Sequence, residues 1–240
     1  MKILKDAGSF VILTPEENLK SQLLTIERAG RTCYQSVAQE ITQETAEKFV
    51  KMILKLGHES VMEHSLMIVQ FNDCSRGLTH ELVRHRIMGI SQESTRYVDY
   101  AKPGAEVDLE KFELKCVVPA HKDENEKVKL ADGREMSMAE MLQETENFYR
   151  GLRKAGWLPQ DARQILPTAI KSQIVVSANF REWRHIFKMR TARPAHWEIR
   201  EVLGKLLEKL KTIIPVVFED FVEAGKDENG LKYFEKISRS

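Results

Sequence analysis

The chain has 240 residues, 42% of them hydrophobic and 30% charged, with a formal net charge of +1. That is enough apolar sequence for one substantial core, and the near-neutral balance argues against a general nucleic-acid binder held by phosphate contacts. No apolar run reaches transmembrane length and the opening residues 1–10 lack a signal-peptide core, so a cytoplasmic protein without membrane contact is expected.

In chain order, Ile3-Leu4 and Phe10 to Leu13 read as short strands. Glu16 to Gly30 reads as a helix opened after Pro15, with Leu19, Leu23, Leu24 and Ile26 as its apolar set and Arg28 to Tyr34 as a polar, aromatic end. Thr42 can cap a second helix, whose Ala46, Phe49, Val50, Ile53 and Leu54 follow the i, i+3, i+4, i+7 pattern to a stop at Gly57. Leu66 to Phe71 reads as a buried strand. Ser75 can cap the next helix, with Leu78, Leu82 and Val83 as its apolar face and Gly89 as its end. A polar loop with Ser91, Gln92, Ser94 and Arg96 follows, then strands near Arg96 to Tyr100 and Phe112 to Val118.

Residues 120–136 are charged and contain Asp132-Gly133, which predicts a surface hairpin. Ser137 with Glu140 makes a capping box for a helix to Ala155, stopped by Gly156. Asp161 to Leu166 is a short helix halted by Pro167, and Ile170 to Ser177 is a strand or the lead-in to the next helix. Asn179 with Glu182 is another capping-box pattern, opening a helix to Met189. Ala195 to Leu210 is a long amphipathic helix, Val216 to Val222 a final helical turn or two, and residues 226–240 a loose polar tail. Strands and helices mix without strict βαβ alternation, so the expected class is α+β: one domain over residues 1–240, a mixed or antiparallel sheet flanked by helices.

The positive charge collects in two blocks. Residues 84–96 hold three Arg against one Glu, and residues 179–200 hold five Arg and one Lys against two Glu, so the blocks carry +2 and +4 and the remainder −5. A compact anionic ligand such as a nucleotide phosphate fits that pattern. On a helix, successive side chains point about 100° apart, so Arg84, His85 and Arg86 would splay, suiting a ligand gripped from several directions or a site completed by another subunit. A solvated helix terminus, where Arg and His favour the dipole, would account for the same triplet.

Other chemistries fare less well. His80-Glu81-Leu82-Val83-Arg84 places an arginine where a zinc protease needs its second histidine, and His58-Glu59 places Met62 there; no metal is expected. Cys33, Cys74 and Cys116 are widely spaced and read as reduced thiols, Cys33 and Cys116 in apolar surroundings; Cys74, before a helix, is the one a helix N-terminus could activate. Ser94 lacks a nucleophile elbow and suits donation to an oxyanion, or capping of its own loop. No Rossmann or Walker glycine pattern occurs, so a dinucleotide would be held by Arg and His side chains. Trp157, Trp183 and Trp197 read as core.

Arg84-His85-Arg86 with Ser94 and Arg96-Tyr97 resembles the signature of the flavin-dependent thymidylate synthases. Asn179-Phe-Arg-Glu-Trp-Arg-His185 with Arg190 and Ala195-His-Trp-Glu-Ile-Arg200 resembles that family's second block, and Gly57-His-Glu-Ser60 with Glu63-His64 the block before the signature. The resemblance spans about Ala29 to Phe221. It implies reductive methylation of dUMP to dTMP, with 5,10-methylenetetrahydrofolate as carbon donor, NADPH as reductant and FAD as cofactor. It also implies a homotetramer with active sites at subunit interfaces. Matching FAD positions are Ser60, Arg84, His85, Arg86, Gln92, Asn179, Arg181 and His185. Matching dUMP positions are Glu81, Leu82, Val83, Arg84, Gln92, Glu93, Ser94, Thr95, Arg96, Arg163 and Arg190. Arg190 matches the catalytic arginine that favours the ionised pyrimidine, which is sensible because a fixed cation lowers the cost of charge on the ring. Glu81 stands where the family usually has Gln, Gly89 where Ser is frequent, Ser91 where Asn is, and His196 where Gln is. A carboxylate beside an anionic nucleotide costs repulsion unless it accepts a hydrogen bond from the base, which puts the Glu81 contact in question. Two other readings use some of the same residues: a non-catalytic nucleotide- or RNA-binding module, and a cysteine-dependent pyrimidine methylase.

Overall fold

The computed structural model describes residues 1–6, 8–36, 40–98 and 113–237. Its elements are β1 (Lys2–Leu4), β2 (Ser9–Ile12), α1 (Glu16–Tyr34), α2 (Gln43–Lys55), a 3-10 turn (Glu59–Glu63), β3 (Met67–Ser75), α3 (Arg76–Leu82) and β4 (Gly89–Gln92). They continue with β5 (Lys115–Val117), β6 (Lys127–Lys129), β7 (Glu135–Ser137), α4 (Met138–Lys154), α5 (Pro159–Ala162) with a 3-10 extension (Arg163–Ile165), and β8 (Lys171–Ala178). Last come α6 (Phe180–Arg190), α7 (Trp197–Ile213), α8 (Pro215–Phe218), β9 (Phe221–Lys226) and β10 (Lys232–Lys236). Strands β2-β3-β8-β4 form a four-stranded sheet, β1 pairs with β5 in parallel, and β6/β7 and β9/β10 pair antiparallel. The fold class is α+β. The chain divides into two compact units: residues 1–8, 72–80 and 92–174, and residues 9–71, 81–91 and 175–240.

In the larger unit, α1 and α2 pack so closely that a Cβ on Gly30 would lie 2.2 Å from the Phe49 ring. Gly30 is therefore an interface residue and not the helix stop; α1 runs on to Tyr34 and ends at Gln35, in the left-handed region at φ 48°. Thr42 caps α2 through a box with Thr45, and Gly57, at φ 74°, follows its end. The core gathers Leu19, Leu23 and Ile26 of α1, Val50 and Ile53 of α2, Val69 and Phe71 of β3, and Trp183, Ile186 and Phe187 of α6, with Leu203, Leu206 and Leu210 of α7. The Trp183 indole N–H donates to the Met67 carbonyl at 3.1 Å, so its one polar atom is satisfied in the core. Of the three tryptophans expected in the core only Trp183 is fully buried; Trp157 is 49% exposed.

Of the expected loose tail, residues 226–237 are described, and they are ordered. Lys232–Lys236 forms a strand on Phe221–Lys226, across a turn in which Asp227 accepts from the Asn229 and Leu231 N–H groups. Phe234 is buried against the space a side chain at Gly204 would fill, and Lys232 pairs with Glu208 and Glu223. One apolar anchor among lysines and glutamates gives the sequence a polar look while still fixing the strand.

In the smaller unit, Leu114, Tyr149, Ala162 and Ile170 form one apolar cluster and Cys116, Val118 and Leu142 another. Ser137 caps α4 through its box with Glu140, and α4 brings the buried Glu146 to the Leu114 N–H, which donates to it at 2.8 Å. β6 and β7 pair across a turn with Gly133 at φ 88°. The strand expected at Arg96 to Tyr100 is absent over its described part, where Thr95 to Tyr97 make a turn; Asp99 and Tyr100 lie outside the described residues, as does Phe112.

Candidate functional site

The signature helix is shorter than its periodicity suggests. The Ser75 hydroxyl caps it, accepting the Leu78 N–H at 3.0 Å, but α3 ends at Leu82, whose carbonyl accepts the His85 N–H at 3.0 Å in a tightened turn. Gly89 is not a helix stop; it opens β4, where a Cβ would meet the Ser177 hydroxyl at 2.6 Å. Arg84, His85 and Arg86 therefore diverge because they sit on irregular backbone between a helix and a strand, with His85 buried and both arginines exposed.

Helix α6 supplies the facing wall. Asn179 caps it by accepting the Glu182 N–H at 2.9 Å. Phe180, Trp183 and Phe187 bury one face, which leaves Arg181, His185 and Lys188, spaced i, i+4 and i+7, on the other. Arg184 points inward and is held by both oxygens of Asp220 at 2.8 and 2.7 Å. The result, within the larger unit, is a cavity of about 660 Å³ lined by Arg84, His85, Arg86, Ile87, Asn179, Arg181, Glu182, Arg184, His185, Lys188 and Lys236, with Glu59 and Glu63. Six cations there face three carboxylates. Arg181 pairs with Glu63 and Lys236 with Glu59, while Arg84, Arg86 and Lys188 form no ion pair with another described residue. A second cavity of about 390 Å³ carries Ser60, with Cys33 and His58, and shares Glu59 and Arg181 with the first.

Arg190, at the end of α6, is gripped twice: its Nε donates to Nε2 of His85 at 3.0 Å, and a terminal nitrogen donates to the Glu81 carboxylate. Burial, then the charges of Arg190 and His185, push the His85 pKa down to about 4, so the ring is neutral at pH 7. An arginine Nε always carries its hydrogen, so His85 Nε2 must be the acceptor and the ring proton sits on Nδ1. Nδ1 faces Glu182 Oε1 at 3.5 Å, and burial pushes the Glu182 pKa up. His85, Glu182 and His185 bring ligand-type atoms within 4.8 Å of one another. The Arg190 bond occupies the Nε2 lone pair of His85, and the ring proton on Nδ1 faces Glu182. Glu81 thus accepts from Arg190.

Gln92, Glu93, Ser94, Thr95, Arg96 and Arg163 lie in the smaller unit. Gln92 donates to the Thr79 hydroxyl at 2.7 Å. Glu93 pairs with Lys171 at 3.0 Å, and its backbone N–H donates to Gln173. The Ser94 hydroxyl accepts the Arg96 N–H at 3.2 Å, capping its own turn, with its hydrogen left to donate. Arg96 reaches the Gln160 side-chain oxygen at 3.2 Å, and Arg163 donates to the Thr95 hydroxyl at 3.1 Å. Leu82 is fully buried and Val83 half-buried, so Leu82 offers a ligand backbone only.

Sequence reasoning missed Glu182, read only as a cap partner, and Lys188, Lys236 and Glu59. The i, i+3 spacing of Glu182 and His185 on one helix was the available signal. For thiolate chemistry, Cys74 and Cys116 are buried, and burial pushes the Cys116 thiol up to about 11; Cys33, expected in apolar surroundings, is exposed. The Cys74 side chain contacts the Asn72 carbonyl at 3.4 Å, so it is not presented as an activated nucleophile.

The profile of the thymidylate synthase complementing protein family matches residues 17–216. The chain is 37% identical over 172 residues to the flavin-dependent thymidylate synthase of Pyrococcus furiosus, a match covering 72% of this chain and 65% of that protein. It is 34% identical over 197 residues to the enzyme of that name from Geobacter sulfurreducens, covering 80% of this chain and 78% of the relative. Among solved structures, it resembles the flavin-dependent thymidylate synthase of Helicobacter pylori complexed with FAD and dUMP, with a TM-score of 0.64 at 23% identity, covering 88% of this chain and 98% of that one. It also resembles the UMP/dUMP methylase PolB of Streptomyces cacaoi, with a TM-score of 0.63 at 18% identity, covering 91% and 95%. By its family profile and its relatives, the chain belongs to the flavin-dependent thymidylate synthase family.

Proposed function

We propose that this chain makes dTMP from dUMP, with 5,10-methylenetetrahydrofolate as carbon donor and FAD, reduced by NADPH, as hydride source. One observation carries the reading. Arg84, His85, Arg86, Asn179, Arg181 and His185, assigned to FAD by family resemblance and spread over two distant blocks, all line one cavity. The donor set suits the cofactor: Arg84, Arg86 and Lys188 are cations without an ion-pair partner among the described residues, as a diphosphate requires. Bound there, FAD would supply the hydride.

The chain's own residues do the rest. Arg190, held by His85 and Glu81, favours negative charge on the pyrimidine ring as C5 becomes nucleophilic. Arg96 and Arg163, with the Ser94 hydroxyl, suit the nucleotide phosphate, and Gln92 and Glu93 hold the loop that carries Ser94 and Arg96. Ser60 belongs to the same cofactor site through the neighbouring cavity. No enzyme thiolate takes part. The protein acts as a cytoplasmic homotetramer with sites at subunit interfaces, without metal, nucleic acid or membrane; no helix among the described residues is long and apolar enough to cross a bilayer.

The test is optical. Purified protein, or apoprotein mixed with FAD, should show an oxidised-flavin spectrum that NADPH bleaches, faster with dUMP present, and should form dTMP when the folate is added. Protein that takes up no FAD but binds RNA in competition with phosphate would replace this reading with a nucleotide-binding module.

A further inference from the structure

The grip on Arg190 has a third member. Its Nε bond to His85 exists only while His85 keeps the Nε2 lone pair exposed, because two N–H groups cannot face each other across 3.0 Å. A neutral imidazole in water carries its proton mostly on Nε2, so something must hold the other tautomer here. Glu182 stands 3.5 Å from Nδ1 on the opposite edge of the ring, and both side chains are buried. The Glu182 backbone is tied to the Asn179 side chain in the first turn of α6, which fixes the point from which the carboxylate reaches the ring. His85 also meets the His185 ring edge-on at 5.5 Å between centroids.

We infer that Glu182 is a positioning residue: its carboxylate holds His85 in the Nδ1–H tautomer, which keeps Nε2 turned to Arg190 and so sets the plane of the guanidinium. In a buried setting the attraction between a carboxylate and an N–H dipole is strong enough to choose a tautomer, and that choice decides whether the opposite edge donates or accepts. With Nε held by His85 and a terminal nitrogen by Glu81, the rigid guanidinium has one orientation left. Titratable and charged groups facing His85 are Glu182, His185 and Arg190 of α6, with Glu81 at the end of α3 on the far side of Arg190. The catalytic consequence rests on the role proposed for Arg190 above; the tautomer does not.

Two measurements separate these. The first is the ¹⁵N spectrum of histidine-labelled protein at pH 7.5, with His85 assigned by its loss in His85→Gln. Wild type and Glu182→Gln, which keeps an acceptor oxygen, should show a protonated Nδ1 and a bare Nε2; Glu182→Ala should shift His85 towards the Nε2–H form. The second is turnover. Measured at saturating FAD, Glu182→Ala should lower kcat for dTMP formation by roughly tenfold to a hundredfold, the range for outer partners that orient a functional group. Glu182→Gln should recover most of that loss. A wild-type His85 protonated on Nε2 overturns the inference without any variant, so it stays testable even if Glu182→Ala does not fold. So does a Glu182→Ala protein with wild-type tautomer and kcat, or a Glu182→Gln protein as slow as Glu182→Ala. Wild type that binds no flavin and forms no dTMP would sink the proposed function instead, and the ¹⁵N spectrum would still decide the tautomer.

Discussion

Arg190 donates its Nε hydrogen to Nε2 of His85 across 3.0 Å, joining two residues 105 positions apart in the chain. His85 belongs to the signature block and Arg190 to the second block, so this bond couples the two cationic blocks directly. Because the ring is buried and faces a guanidinium, it is neutral and serves as an acceptor.

Arg190→Ala should cripple dUMP turnover and spare FAD binding. Losing a charge that strengthens its contact as the ring ionises should cost roughly 2–4 kcal/mol in the transition state. Steady-state kinetics with FAD titration checks it; near-normal kcat would make Arg190 a packing residue.

Glu81→Gln keeps an acceptor for Arg190 and removes a negative charge from the neighbourhood of an anionic substrate. The Glu81 side chain is 40% exposed, so the effect is screened: KM for dUMP should fall by about 1.4- to fivefold, matching the ~0.2–1 kcal/mol of a partly exposed pair. A raised KM would show that the carboxylate itself holds the substrate.

Acid should weaken the fold through His85. Its folded pKa, about 4, lies below the ordinary 6.5, so the neutral ring contributes stability above the ordinary value and loses it as pH falls from 6.5 towards 4. The loss is on the order of 3 kcal/mol for this group alone. Glu182, whose pKa is raised by burial, has the opposite sign and reduces the net effect. Chemical denaturation at pH 7 and pH 5 should show a smaller drop for His85→Gln than for wild type; equal drops would place the titration elsewhere.

Replacing Cys33, Cys74 and Cys116 together should leave dTMP formation intact in folded, flavin-loaded protein. Cys74 and Cys116 are fully buried, so each change costs on the order of 1 kcal/mol of stability. Turnover lost without loss of folding would point to thiolate catalysis.

If Arg163 and Arg190 reach one nucleotide from different subunits, Arg163→Ala and Arg190→Ala should each be nearly inactive, yet complement when unfolded and refolded together. In a symmetric pair with one chain of each kind, one site collects both defects and the other none, so roughly a quarter of all sites should be intact. A mixture as inactive as its parents, with chain exchange demonstrated, would place both arginines in one subunit's site.

The sequence by itself determined what depends on neighbours along the chain. Thr42, Ser137 and Asn179 announced their helices because a cap is a bond across three residues. The α+β class followed from mixed periodicities, and the cationic blocks from plain counting. The tertiary structure decided everything that needed a distant partner. Gly30 and Gly89 look like stops but are close approaches to Phe49 and Ser177, which local pattern does not reveal. The strand at Lys232–Lys236 rests on one buried Phe234, too little apolar sequence to signal itself. Above all, Glu81, Arg84, His85, Glu182 and Arg190 could be named as polar residues but not paired. Which carboxylate meets which cation, and therefore which nitrogen of His85 holds the proton, is set by burial and by contacts a hundred residues apart.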